Sequence, residues 1–495
     1  MRVALHWFRR DLRLSDNTAL AAATREADAV IPVAVLDEAA LASAPVAPAG
    51  LAVMAGALED IAAHLAHGGA ARLIVRTGET AAELSRLARE LGAEAVYANR
   101  SEGSHAEAIE RAAQRWLAAD GVALRLYDDL GVAPPDMVMT NANTPYTVYT
   151  PYSRRWRELV ALAPPREQAP RWEALRAGAP LAHDVASIAV ADALAERSYR
   201  LGSWRALWGG GRAAHLTRLR AFIGEGLADY VERRNLPAQQ GTSRLSAALR
   251  WGTLSAREAW RAAHEWAEEH PDARAGADAW IGELAWADFF RALLQHFPHS
   301  ERDSFRPAYD AIEWSGRAEH LIAWQQGRSG YPIVDAGMRQ LLAEGWMHNR
   351  VRMVVASFLV KDLLLDWRTG ERHFMRHLAD GAISANVGNW QWAASSGADA
   401  QPWFRIFNPT SQGKRFDPQG DYVRRYVPEL ARVSADAIHE PWRLSADEQR
   451  RAGVAIGRDY PAPLVEHAVQ RARALAMFRA ARGATSAQIQ EQAGE

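Results

Sequence analysis

The first 127 residues alternate short apolar runs with helical stretches, and this alternation constrains the fold more than any other feature of the chain. Val3–Phe8 is an apolar run of strand length. Asp16 and Asn17 offer caps for a helix over Thr18–Arg25. Ala29–Leu36 reads as a second strand. Leu51, Met54, Leu58, Ile61 and Leu65 recur at three- and four-residue spacing, the mark of an amphipathic helix. Arg72–Arg76, a helix over Glu79–Leu91, Ala95–Asn99, a helix over His105–Ala119, and Leu124–Tyr127 follow. Five strands separated by helices predict an α/β N-terminal domain on a doubly wound parallel sheet, Rossmann-like in plan. The dinucleotide fingerprint Gly-x-Gly-x-x-Gly is missing, because strand one runs into Arg9-Arg10-Asp11-Leu12-Arg13.

The remainder has a different character. Of the 19 Trp residues only Trp7 and Trp116 precede position 155. Residues 1–130 therefore read as one domain. Residues 131–202, with Pro134, Pro135, Pro164, Pro165, Pro170 and Pro180, read as a connection. Residues 203–482 carry helical periodicity with scarce strand-like alternation, a large all-α domain, and 483–495 reads as a small polar tail. Asn349–Trp367, apolar on nearly all sides, is expected to be a buried helix.

With no cysteine, disulfides, thiolate metal sites and cysteine nucleophiles are excluded. No uninterrupted apolar run reaches eighteen residues, so no membrane span is expected. The first residues lack the features of a secretory signal, and a cytoplasmic location is expected. Basic and acidic side chains balance at 58 and 59. Any nucleic-acid surface must come from local clustering, and non-specific DNA binding should be modest.

Several clusters carry chemistry. Thr242, Ser243, Arg244, Leu245 and Ser246 precede a helix-like stretch, where hydroxyls and free N–H groups suit an anion, though taken alone plain helix capping is the more natural reading. Glu283 and Trp286 share a helix face with Trp280 nearby. Asn386, Asn389, Trp390 and Trp392 surround Gly388, a density of amides and indoles that suits a flat heteroaromatic ligand. His348, Asn349, Arg350, Arg352 and Met353 join cations to an amide and a thioether. His373 and His377 have metal-site spacing but lack a third ligand. Phosphate-loop and nucleophile-elbow motifs are absent.

In this order the clusters closely resemble the photolyases and cryptochromes, from His6-Trp7-Phe8-Arg9-Arg10-Asp11-Leu12-Arg13 to about Arg482. The match is densest from Gly330-Tyr331-Pro332-Ile333-Val334-Asp335-Ala336 through Phe404-Arg405-Ile406-Phe407-Asn408-Pro409. Within the family the chain is most like class I photolyases of cyclobutane pyrimidine dimers. The resemblance implies an N-terminal antenna domain and a helical C-terminal domain holding FAD, reduced in the active form. It places Tyr230, Thr242, Ser243, Arg244, Leu245, Ser246, Trp280, Arg352, Asp380, Gly381, Ala382 and Asn386 around the FAD. Asp380 and Arg352 would pair beside the isoalloxazine, and Asn386 would face flavin N5. Trp314, Trp367 and Trp390 match a chain of electron-carrying indoles.

Glu283, Trp286, Asn349, Met353 and Trp392 match the dimer pocket, and Arg234, Arg350, Arg405 and Gln412 match DNA contacts. The implied reaction is light-driven electron transfer from reduced FAD to a dimer flipped out of DNA, with Glu283 and Trp286 serving it directly. The alternative is a cryptochrome-type photoreceptor without repair. His348-Asn349 stands where the (6-4) photolyases carry a His pair. Ala382, Ala287 and Ser101-Glu102-Gly103-Ser104-His105 depart from the family pattern. The last of these leaves open whether an antenna chromophore would be a folate, a deazaflavin, a flavin or none. The resemblance implies no metal and no obligate protein partner, hence a monomer acting on damaged DNA.

Overall fold

The structure is a computed structural model describing residues 1–43 and 46–492. Strands β1 (Val3–Phe8), β2 (Ala29–Leu36), β3 (Ile74–Thr77), β4 (Ala95–Asn99) and β5 (Ala123–Tyr127) form one parallel sheet in the order β3-β2-β1-β4-β5. Leu5 is in register with Ile31 on one side and Val96 on the other. Every residue of β1 is buried, as expected of a central parallel strand covered on both faces. Ile31, Val33, Leu84, Leu87, Val96 and Leu117 complete the core of this layer. The third strand begins at Ile74, two residues later than its apolar run suggested. Arg72 leaves the ladder and donates Nε–H to the carbonyl of Ala182 at 3.0 Å.

The absence of a glycine fingerprint after β1 has a visible counterpart. Asp11 is buried and accepts from the Arg9 backbone N–H (2.8 Å), Asn17 Nδ2 (2.9 Å) and Asn99 Nδ2 (2.7 Å). Burial pushes this carboxyl up, but His6 and the Arg9 N–H overcome it and hold it well below the usual carboxylate range. A carboxylate of the chain itself therefore takes up a donor that a phosphate would otherwise use. Asn17 caps the Thr18–Glu26 helix by accepting from Leu20 N–H.

The chain divides into two compact units. The first comprises Met1–Ala228, Ser243–Pro298 and Ala379–Ser384. The second comprises Asp229–Thr242, His299–Leu378 and Ala385–Glu495. The first holds the sheet together with the helices Pro48–His67, Tyr149–Leu162, Ser246–Trp251, Ala256–Glu269 and Arg274–His296. Pro48–His67 is long and apolar enough to cross a membrane by length and composition, yet 67% of its most apolar window is buried inside the protein, as in a core helix. The second unit is helical, with Pro332–Glu344, Asn349–Ser357, Trp367–His377 and Pro409–Phe416 among its elements. The final helix, His467–Gln492, runs through most of the stretch read as a tail; residues 493–495 lie outside the described residues.

Asn349–Trp367 is not the single helix that its apolarity suggested. Asn349–Ser357 passes into a π-helical turn over Phe358–Asp362 and stops, with Leu364 in the left-handed region at φ 54°. Asp366 then caps a new helix that begins at Trp367, accepting from Arg368 N–H at 3.0 Å. The cap decides the break, and the apolar run Leu363–Leu365 hides it from a reading of periodicity.

Candidate functional site

In the first unit the Arg274–His296 helix carries Trp280, Glu283 and Trp286. Its orientation is fixed by Asp288, which is buried and accepts from the backbone N–H groups of Val132 (3.1 Å) and Ala133 (3.0 Å), from Trp156 Nε1–H (2.9 Å) and from Arg291 (2.7 Å). Glu283 and Trp286 are half-exposed, three residues apart on one face. Trp286 stacks on Tyr149 with ring centroids 3.5 Å apart and planes 8° from parallel, and the Tyr149 hydroxyl donates to the carbonyl of Gly282 at 2.8 Å. Phe289 and Phe290 complete the aromatic cluster. Tyr149 was not among the sequence candidates. The run of tyrosines at 146, 149 and 152 in the presumed connection was the available signal.

Ser243–Ser246 leads into the six-residue helix Ser246–Trp251. Its N-cap is Leu245, and no side chain caps it. Ser243 Oγ instead accepts from Trp280 Nε1–H at 3.4 Å and from Leu245 N–H at 3.4 Å, so the hydroxyl is not committed to capping. Arg244 holds φ 52°. Asp380, Gly381 and Ala382 lie in a turn pinned by the same short helix. Arg250 Nε–H donates to the Gly381 carbonyl (2.5 Å) and Trp251 Nε1–H to that of Ala379 (3.0 Å). Ser384 Oγ donates to Glu102 at 2.6 Å, so the departing segment Ser101–His105 bonds the residues just beyond this turn. Glu102 sits among Arg250, Arg291 and Arg10. Burial pushes its carboxyl up, and these three guanidinium groups bring it below its ordinary value.

In the second unit the Asn349–Ser357 helix is capped by His348, whose Nδ1 accepts from Arg350 N–H at 3.1 Å. Asn349 is exposed, and Arg350, Arg352 and Met353 are half-buried. Arg350 donates to Asn235 Oδ1 (2.8 and 3.2 Å) and lies over the Phe416 ring, while Arg234 lies over Tyr230. Arg352 Nε–H donates to the Met347 carbonyl at 2.8 Å. Gln412 is half-exposed, and Arg405 is exposed beside Phe404. Thr242 and Trp392 are half-exposed in this unit.

Asn386 is buried and spends its amide N–H groups on Glu371, donating to the backbone carbonyl at 3.0 Å and to Oε1 at 2.8 Å. Glu371 thereby fixes which way the amide points and leaves its oxygen as acceptor. Sequence reasoning missed Glu371, fifteen positions away on another helix. Trp390 is buried, edge-on to Phe374 (5.0 Å) and Trp324 (6.2 Å). Trp367 is buried beneath Arg368, and its Nε1 has no hydrogen-bond acceptor among the described residues. Trp314 is half-exposed, edge-on to Phe478 at 6.5 Å. His373 and His377 lie with ring centroids 4.3 Å apart and planes tilted by 40°, and no group of three or more metal-ligating side chains occurs among the described residues.

Gly370 belongs to this aromatic packing. A Cβ there would fall 2.2 Å from Trp390 Cη2 and 2.6 Å from Leu359 Cδ2. Gly370→Ala is expected to destabilise the protein by about 1–3 kcal/mol or more through overpacking, read as a lowered Tm and a shifted Trp emission.

A doubly wound sheet without a nucleotide fingerprint, and a helical unit with buried indoles and a buried amide held by Glu371, are what a protein of the photolyase and cryptochrome type is expected to carry. Family models agree. The one described as DNA photolyase matches residues 4–171, and the one described as FAD binding domain of DNA photolyase matches residues 280–480. The deoxyribodipyrimidine photo-lyase of Escherichia coli is 39% identical over 97% of this chain and 99% of its own length. A bacterial class III photolyase from Agrobacterium tumefaciens superposes with a TM-score of 0.88 at 37% identity, covering 98% of both chains. An archaeal photolyase from Sulfolobus tokodaii, described with two FAD molecules, does so with a TM-score of 0.79 at 30% identity over 96% of this chain and 99% of its own. The chain belongs to the DNA photolyase family.

Proposed function

We propose that this chain uses light and bound reduced FAD to split cyclobutane pyrimidine dimers in DNA, acting as a cytoplasmic monomer. The observation that carries the reading is the face of the Arg274–His296 helix, where a half-exposed carboxyl side chain stands three residues from a half-exposed indole locked on Tyr149. That face suits two linked pyrimidines flipped out of the duplex, with Trp286 supplying apolar contact and Glu283 hydrogen bonding. The family resemblance assigns Asn349, Met353 and Trp392 to contacts with the dimer, and Arg234, Arg350, Arg405 and Gln412 to the DNA backbone.

The residues fit FAD. The Asn386 amide, with its N–H groups held by Glu371, offers an oxygen that suits a flavin N5–H and brings no negative charge of its own. Tyr230, Thr242, Ser243, Arg244, Leu245, Ser246, Trp280, Arg352, Asp380, Gly381 and Ala382 are assigned by the family resemblance to the rest of the cofactor. FAD, when bound, supplies the light-driven electron. Glu283, with its carboxyl protonated, would donate a hydrogen bond to the dimer carbonyls as they gain negative charge.

The first unit has room for a second chromophore. A cavity of about 850 Å³ opens at the carboxyl ends of the strands, lined by Arg100, Glu102, Asp128, Arg257 and Arg291 among others. Its lining includes the segments that follow β4 and β5, Arg100–Gly103 and Asp128–Asp136. The cavity volume suits a flavin or folate.

The test is repair of a thymine-dimer oligonucleotide by the reduced protein under blue light and in the dark. Light-only reversal is expected. Flavin that binds and photoreduces without any reversal would replace this reading with the photoreceptor one.

A further inference from the structure

The Ile383–Ala394 helix ends at Ser395, a non-glycine residue held in the left-handed region at φ 65°. From there the chain runs without regular structure to Asn408, which caps the Pro409–Phe416 helix. Pro402, Phe404 and Arg405 are exposed along this loop, and Phe404 keeps 59% of its surface in solvent. An irregular segment of this length in a compact protein is functional more often than not.

The loop is tied from beneath by one side chain. Lys361, in the π-helical turn Phe358–Asp362, is fully buried. Its Nζ donates to Ser395 Oγ at 2.7 Å, where the loop begins, and to the Trp403 carbonyl at 3.4 Å, beside the exposed tip. The Phe478 ring lies 5.1 Å from the ammonium, and Arg479 on the same helix lies over Trp403. The neighbouring carboxylate, Asp362, is engaged by His467 at 2.6 Å. Lys361 thus has hydrogen-bond acceptors but, among the described residues, no carboxylate paired with it. Burial alone brings its ammonium down to about 7. A buried charge without an ion partner costs stability, and an apolar side chain of similar volume would serve packing better.

We propose that Lys361 is a positioning residue for damaged-DNA binding, its buried ammonium holding the Ser395–Asn408 loop in the shape that presents Phe404 and Arg405 to the DNA. This rests on the repair reading above. The lysine bridges the strained first residue of the loop and its tip, a pair of points that the Gln401 Nε2–H bond to the Ala393 carbonyl (3.1 Å) does not join.

The experiment compares Lys361→Met with wild type, each loaded with FAD. The readouts are Kd for a thymine-dimer duplex, FAD content and Tm at pH 6 and pH 9. The expected result is Kd weakened at least tenfold, FAD content unchanged, and Tm equal to or above wild type. The sign of the Tm effect follows from linkage. The unfolded lysine keeps its proton to about pH 10.4 while the folded one loses it near pH 7. The penalty on wild type is therefore complete below pH 7 and fades as pH rises, so the Met variant gains more at pH 6 than at pH 9. A structural role would instead lower Tm along with affinity. Ser395→Ala, which removes one acceptor and no charge, is expected to weaken Kd in the same direction and covers the case in which Lys361→Met does not fold. If wild type binds the dimer duplex tightly and both variants bind it equally well, the proposal is overturned. If wild type does not distinguish the dimer duplex from undamaged DNA, it is the repair reading that fails.

Discussion

Replacing Glu283 with Ala is expected to cut light-driven dimer reversal by about 10²–10³-fold, the usual loss when one preorganised hydrogen-bonding group is removed from developing negative charge. Fold and cofactor should survive. Glu283 is half-exposed, and the helix that bears it is held by Asp288 and by the Tyr149–Trp286 stack, neither of which depends on it. The measurement is single-turnover repair of a dimer oligonucleotide by reduced protein, with FAD absorbance and Tm as controls. Repair that persists at the wild-type rate would remove Glu283 from the chemistry. Lost repair with normal photoreduction would separate the enzyme from a photoreceptor on the same scaffold.

The N-terminal layer was legible because its physics is local. Each strand is a short apolar run bounded by polar turns, and the complete burial of Val3–Phe8 is what a central parallel strand requires. The missing glycine fingerprint was legible too, but not its replacement. That Asp11 binds the N–H of Arg9 and the amides of Asn17 and Asn99 depends on strands that meet only after folding. The same limit applies to the site. Glu283 and Trp286 announce themselves by spacing on one helix, whereas Tyr149 reaches them across 133 positions through its bond to Gly282. Glu371 and Asn386 lie on separate helices, and nothing in either segment says that one amide will be held by one carboxylate. In the sequence Lys361 is a lone cation inside the apolar run 353–365, between Val360 and Asp362. Its burial against Ser395 and Trp403 turns that interruption into the tie of a loop.

Replacing Trp367 with Phe is expected to slow photoreduction of bound oxidised FAD by at least roughly tenfold, equivalent to about 1.4 kcal/mol in the barrier, and to leave repair by chemically reduced protein unchanged. The three indoles assigned to this path share the second unit and differ in their surroundings. Trp390 is enclosed by Phe374, Trp324 and the space left by Gly370. Trp367 is just as buried, and its N–H has no acceptor among the described residues. Trp314 alone of the three is half-exposed. An electron vacancy on Trp367 thus has no group to take its proton. It can only return or move outward to Trp314, where solvent stabilises positive charge and can accept the proton. Phe fills nearly the same volume and sits beneath the same Arg368, so fold and flavin content should hold, but a benzene ring is far harder to oxidise than an indole. Illumination of oxidised protein with an external electron donor, followed by flavin absorbance, measures the first effect. Dimer reversal after dithionite reduction measures the second. Photoreduction at the wild-type rate in the Phe variant would show that the path bypasses Trp367. Loss of both activities would mean that the substitution had disturbed the cofactor site rather than the path leading to it.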